Sequence, residues 1–113
     1  MNRARVVVLA GLSLLFAVQA DDDEAVIRRG HDVFQHWCTP CHGAGPDHPG
    51  TDALAAKYQG KKPAPLEERT DLTPDLTRQF VRTGVSIMPF FRKTEISDAD
   101  LDARAAYLAP ENR

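Results

Sequence analysis

Residues 37–43 read WCTPCHG and hold both cysteines of the chain, Cys38 and Cys41, with His42 directly behind them. Two thiols at this spacing suit three kinds of chemistry. They can close a redox-active disulfide, supply half of a tetrahedral zinc site, or form thioethers to a haem whose iron the histidine binds. Each asks for different company. A thioredoxin-like dithiol needs a βαβ setting, and no alternating or β-branched run precedes Trp37. Structural zinc takes four ligands, usually as two pairs, but there is one Cys pair, and His31, His36 and His48 form no HxxxH partner. The haem reading uses every residue of Cys38-Thr39-Pro40-Cys41-His42, because C-x-x-C-H is the attachment signal for one covalent haem c. One turn of chain brings both sulfurs to the haem vinyls, and His42 projects toward the iron as proximal ligand.

Such an iron needs a sixth ligand. Beyond Met1 the chain has one methionine, Met88, in the loop Val85-Ser86-Ile87-Met88-Pro89-Phe90-Phe91. Methionine also serves as a core gap-filler. Here Pro89 biases Met88 toward extended backbone, Gly84 frees the turn before it, and the aromatics supply an apolar wall. His48 is the rival, but it lies six residues from His42, too little chain to cross to the other haem face. Met88 is therefore the expected distal ligand, completing the His/Met set common in haem c proteins.

The elements that must hold these residues read as helices. From Glu24, the positions Val26, Gly30, Val33, Phe34 and Trp37 form one stripe of an amphipathic helix, with the acidic run Asp21–Glu24 at its start. Gly30 within that stripe costs up to about 1 kcal/mol relative to Ala, which points to close approach of another helix. A last helix begins at Ser97 as N-cap, lines Leu101, Ala105 and Leu108 on one face with Tyr107 beside it, and stops at Pro110. Between them are expected a helix capped near Thr51 (residues 53–58), a turn at 66–69, and a helix from Thr73 with Pro74 at N1, ended by Gly84. No strand pattern or repeat is present. The fold class is all-α, one small domain with loops long enough to wrap a cofactor.

The first residues carry a separate message. Arg3 and Arg5 precede thirteen mostly apolar residues, Val6 to Val18, and then Gln19-Ala20 and the acidic run. That is the layout of a cleaved signal peptide, residues 1–20, leaving a domain over 21–113. As a helix the apolar stretch rises only about 20 Å, against a bilayer core of roughly 30 Å. The product is expected to be exported, in a bacterium to the periplasm, with no membrane span. Losing Arg3 and Arg5 shifts the formal charge from −2 to −4, and no basic stripe suits nucleic acid. Residues 21–113 contain 23 apolar residues larger than alanine, a thin core that a large apolar cofactor would complete.

Gly30-x-x-x-Phe34 ahead of Cys38-x-x-Cys41-His42, the loop with Gly84, Met88, Pro89 and Phe91, and a closing helix with Tyr107 together resemble a small class I cytochrome c. The resemblance spans essentially all of residues 21–113. It implies N- and C-terminal helices crossed at Gly30, Phe34, Leu101 and Tyr107, and loops wrapping the haem. It also implies a loop proline whose carbonyl accepts the Nδ1–H of His42. Pro46 and Pro49 both qualify, with Pro49 preferred. Such a bond would fix the ring and raise its basicity.

Three stretches, HPGTDALAAKY, PAPLEERTDLTP and GVSIMPFFRKTEISDADLDA, are similar to cytochrome subunits of flavocytochromes of the p-cresol methylhydroxylase and eugenol hydroxylase type. That similarity implies an FAD-containing, phenol-oxidising dehydrogenase as redox partner, with this chain as electron acceptor and not itself an enzyme. The alternatives are a free carrier to a terminal oxidase or reductase, and a haem enzyme or sensor with a labile sixth ligand. Electrons are expected to cross near Cys41 and the 88–91 loop. Phe90 is a candidate exposed contact there, the alternative being that Phe90 or Phe91 is simply core, and Arg92-Lys93 either steers an acidic partner or is merely solvated.

Overall fold

Gly30 is where the fold closes. In the computed structural model, which describes residues 8–112 with side chains from Gln19, a β-carbon on Gly30 would fall 2.1 Å from the Ala103 carbonyl oxygen and 2.7 Å from the Tyr107 β-carbon. Two helices therefore cross backbone to backbone at this point. They are α1 (Val8–Trp37) and α5 (Asp98–Leu108). Below the crossing Phe34 is fully buried, its ring 5.8 Å from that of Tyr107, and Leu108 packs in the same cluster. At the rim Arg29 donates to Asp100 at 2.7 Å.

Between these helices run α2 (Thr39–His42), α3 (Pro49–Tyr58), a 3₁₀ turn at Leu66–Glu68 and α4 (Pro74–Thr83), and a second 3₁₀ turn, Pro110–Asn112, follows α5. Among the described residues there is no strand. Local chemistry explains most boundaries. Thr73 caps α4, its hydroxyl accepting from the Leu76 amide at 3.2 Å, with Pro74 next. Gly84 ends α4 at φ +68°, a left-handed backbone that glycine adopts without strain. Ser97 caps α5, accepting from the Asp100 amide at 3.1 Å and donating to the Asp100 carboxylate at 2.8 Å.

Two boundaries differ from the sequence expectation. Helix α1 starts at Val8, so the acidic run Asp21–Glu24 lies inside it. The Leu- and Ala-rich residues ahead of that run are strong helix formers, and nothing in the intact chain stops them. The expected leader, 1–20, has its first seven residues and its side chains through Val18 outside the described residues. Helix α3 starts at Pro49 with His48 as N-cap, not near Thr51. Proline suits the first helical position, and Thr51 is buried with another task described below.

The core is thin. Among the described residues the large side chains with essentially no exposure are Phe34, Ile96, Leu108 and Val81. One cluster joins Phe34, Leu66, Leu72 and Leu108, and a second joins Val81, Ile96 and Leu101. Members of both line a cleft. No described helix is long and apolar enough to cross a membrane.

Candidate haem site

One turn of chain delivers the Cys-Cys-His set. The Cys38 amide donates to the Phe34 carbonyl at 2.9 Å, carrying α1 into α2, and the His42 amide donates to the Cys38 carbonyl at 2.8 Å. Cys38 is buried and Cys41 exposed, both as free thiols. The turn is fixed from outside by α3. The Thr51 hydroxyl donates to the Gly43 carbonyl at 2.7 Å, and Nδ1 of His48 lies 3.2 Å from the Pro40 carbonyl oxygen. Gly50 lets α3 come close, since a β-carbon there would sit 2.8 Å from His42 Cε1 and 2.7 Å from the Cys41 carbonyl oxygen.

Met88 arrives from a tight turn after α4. The Val85 amide donates to the Met88 carbonyl at 3.1 Å, and the Met88 amide to the Val85 carbonyl at 2.9 Å, with Ser86 at φ +54°. Gly84 is required here for a second reason. Its β-carbon would meet the Met88 carbonyl oxygen at 2.7 Å and the Phe90 amide nitrogen at 3.0 Å. Phe91 anchors the far end, its amide donating to the Val81 carbonyl at 2.8 Å and its ring 5.8 Å from Trp37.

Cys38, Cys41, His42 and Met88 line one cavity of about 470 Å³, walled by Trp37, Leu54, Val81 and Ile96 among others. A second space of about 140 Å³ adjoins it, sharing His42, Met88 and Arg104 and extending toward Tyr58, Leu66 and Leu72. Such volumes suit one small-molecule cofactor. His48 and His36 line neither space, so neither competes with Met88 for it.

Residues 25–108 match the family model described as Cytochrome C oxidase, cbb3-type, subunit III. The chain belongs to this family. It is a c-type cytochrome of the class I kind, an all-α domain whose cofactor is covalently bound haem c and whose chemistry is electron transfer. No curated protein and no solved structure matches it significantly.

The cytochrome's residues fit that cofactor. The cavity is mostly apolar, with two thiols and an imidazole on one wall and a thioether at the loop. Burial, and secondarily the charge of Arg104, lowers the His42 pKa to about 4. The ring is therefore neutral at pH 7, the form an iron ligand requires. Burial raises the pKa of the Cys38 thiol.

One implied contact is corrected. The Nδ1 of His42 is buried without a hydrogen-bond partner, so the bond to the Pro49 carbonyl is not formed. Pro49 is the first residue of α3, where its carbonyl is an acceptor in the helix's own hydrogen-bond ladder. The ring is held instead by close packing against Gly50.

The remaining sequence candidates fall into place. Trp37 lines the cavity. Phe91 is packed inside and Phe90 is 60% exposed, beside Ile87 at 81%. Arg92 pairs with Glu95 at 3.6 Å and Lys93 with Asp98 at 2.7 Å, so the positive spot is largely neutralised within the chain. His31 and His36 are both exposed, the first stacked edge-on against Tyr107. The Tyr107 hydroxyl bonds Glu67, tying the 3₁₀ turn to α5.

Sequence reasoning missed Thr51, Gly50 and two buried arginines. Arg69 bonds both oxygens of Asp71, at 2.5 and 2.8 Å, and the Tyr58 hydroxyl at 3.0 Å, forming one wall of the smaller space. Arg104 is 3% exposed on α5 and lines both spaces. A signal for Arg104 existed. It stands at the i+3 position of the stripe Leu101, Arg104, Ala105, Leu108, on the face that must be buried.

Proposed function

We propose that this cytochrome carries single electrons on one haem held by thioethers from Cys38 and Cys41, with His42 and Met88 as its axial ligands. The observation that carries this reading is the lining of a single cavity by all four side chains. When bound, the haem supplies exchange between ferric and ferrous iron. His42 offers a neutral nitrogen to it, and Met88 a soft sulfur donor that favours the reduced state. Trp37, Leu54, Val81 and Ile96 exclude water, which favours it further. Were His42 and Met88 both to hold the iron, they would leave no position for a substrate, in keeping with a carrier rather than an enzyme.

The domain 21–113 works in the periplasm after removal of residues 1–20, in keeping with the basic-then-apolar start of the chain. Its electron donor is an FAD-containing dehydrogenase that oxidises 4-alkylphenols, a reading supported by the similarity of the GVSIMPFFRK stretch and its neighbours to flavocytochrome subunits. Docking centres on the exposed apolar side chains Ile87 and Phe90 of the Met88 loop. A second reading, delivery of electrons to a terminal oxidase, is favoured by the oxidase in the family's description.

The test is direct. Haem-stained denaturing gels of Cys38→Ala and Cys41→Ala are expected to show weakened or lost covalent haem, and full retention in both would overturn the attachment. The oxidised parent is expected to show the far-red sulfur-to-iron charge-transfer band of Met88 ligation. A high-spin spectrum with rapid CO binding would favour a sensor or enzyme instead. Copurification of a flavin-containing companion from the native host separates the two partner readings.

A further inference from the structure

Arg104 is a buried cation to which the described residues offer a neutral neighbour, the Cys38 thiol, but no counter-charge. Its side chain is 3% exposed, and Nε and Nη1 have no hydrogen-bond partner. Among the described residues it makes no ion pair, whereas Arg69, the other buried arginine, is held by both oxygens of Asp71. Arg104 borders both parts of the cleft, together with His42 and Met88. A lone charge in such a place is expensive, and leucine or valine would fill this stripe position without that cost. The guanidinium therefore has a use that apolar packing would not serve.

We propose that Arg104 is a potential-setting residue, whose fixed positive charge at the wall of the haem cleft holds the iron toward the ferrous state. The inference rests on the haem reading above. Reduction removes one positive charge from the iron, so a cation nearby favours the reduced form, and the burial of Arg104 leaves the effect little screened. Coulomb's law at an effective dielectric constant of about 20 makes a unit charge across a cofactor cleft worth about tenfold in the ferrous-to-ferric ratio. Arg104 lies against the Cys38 thiol and acts on the iron through its field, so it is a positioning charge and not a catalytic residue.

The experiment is spectroelectrochemical titration of haem-loaded parent, Arg104→Lys, Arg104→Gln and Arg104→Leu at low and high salt. Arg104→Leu and Arg104→Gln are expected to lower the ferrous-to-ferric ratio at fixed poise about tenfold, which is about 59 mV for one electron. Arg104→Lys is expected to stay near the parent, and the differences should persist at high salt. Arg104→Leu should also raise the thermal midpoint, the opposite of what loss of a structural residue would do. Equal potentials for the Leu and Lys variants would overturn the proposal, as would a shift of the same size in all three. If Arg104→Leu does not load haem, the Gln and Lys pair makes the same comparison. The comparison holds whatever the sixth ligand is. The far-red band of the parent reports on Met88 alone, so failure of the charge effect and failure of the ligand assignment are separately visible.

Discussion

Gly30 and Ala103 meet backbone to backbone, with 2.1 Å between the position of an added β-carbon and a carbonyl oxygen. The atom in the way belongs to the main chain of α5, so no rotamer change relieves it. Gly30→Ala gains about 1 kcal/mol of helix propensity but must push the helices apart, a strain of about 1–3 kcal/mol or more. A net loss in denaturation midpoint is expected, larger for Gly30→Val, with the absorption spectrum of the haem little changed. An unaltered or raised midpoint for Gly30→Ala would show that α1 and α5 pack less closely than described.

The chain without haem is expected to be largely unfolded. Among the described residues four large side chains are fully buried, and a cleft of about 470 Å³ separates parts of the two apolar clusters. Expressed without haem, the protein should show weak helical circular dichroism and no sharp thermal transition. A cooperative transition matching that of the loaded form would contradict this.

Met88→Leu keeps nearly the same volume and costs under about 1.5 kcal/mol in packing. It should therefore leave the fold and the haem attachment intact. Removing the sulfur is expected to lower the reduction potential, abolish the far-red band and admit CO to the ferrous iron. A parent-like spectrum and potential would reduce Met88 to a packing residue, and the sixth ligand would have to be sought elsewhere.

Acid stability should report on His42. In the unfolded chain an imidazole takes its proton near 6.5, but here burial and Arg104 delay it to about 4. Between those values the unfolded state binds more protons, so stability falls as the pH drops from about 6.5 to about 4 and then levels with respect to this group. The gap corresponds to about 3 kcal/mol at most. Iron ligation acts in the same direction, because it needs the unprotonated nitrogen. The depressed carboxylates Asp71, Glu95, Asp98 and Asp100, held down by hydrogen bonds to Arg69, the Arg92 amide, Lys93 and Ser97 respectively, act only lower, below about 4.5. Thermal midpoints measured across pH 3–7 check this, and a flat profile above about pH 4.5 would refute it.

What could be read in the sequence was what local rules govern. Ser97 and Thr73 cap helices because a hydroxyl there satisfies a free amide, and Gly84 ends one because of its backbone freedom. Gly30 was legible because an apolar stripe with a missing side chain asks for a neighbour. Tertiary demands were not legible. Thr51 looks like a helix cap, but its hydroxyl is recruited by the Gly43 carbonyl eight residues away. Pro49 looks like an acceptor for His42 until α3 claims its carbonyl. Arg104 reads as a solvated charge by residue type, and only its place in the stripe contradicts that.

The contact that closes the fold has a consequence for the order of events in synthesis. Arg29 and Asp100 are 71 residues apart, and the helices they join are the first and last of the domain. Until α5 has left the ribosome, α1 has no partner, and its apolar stripe stays open. The crossing therefore forms late, since long-range pairings close after local ones. During that interval the Cys38 thiol, 6% exposed in the finished molecule, remains as reachable as any residue of an extended chain. The attachment turn thus stays open to chemistry for as long as the crossing is unmade.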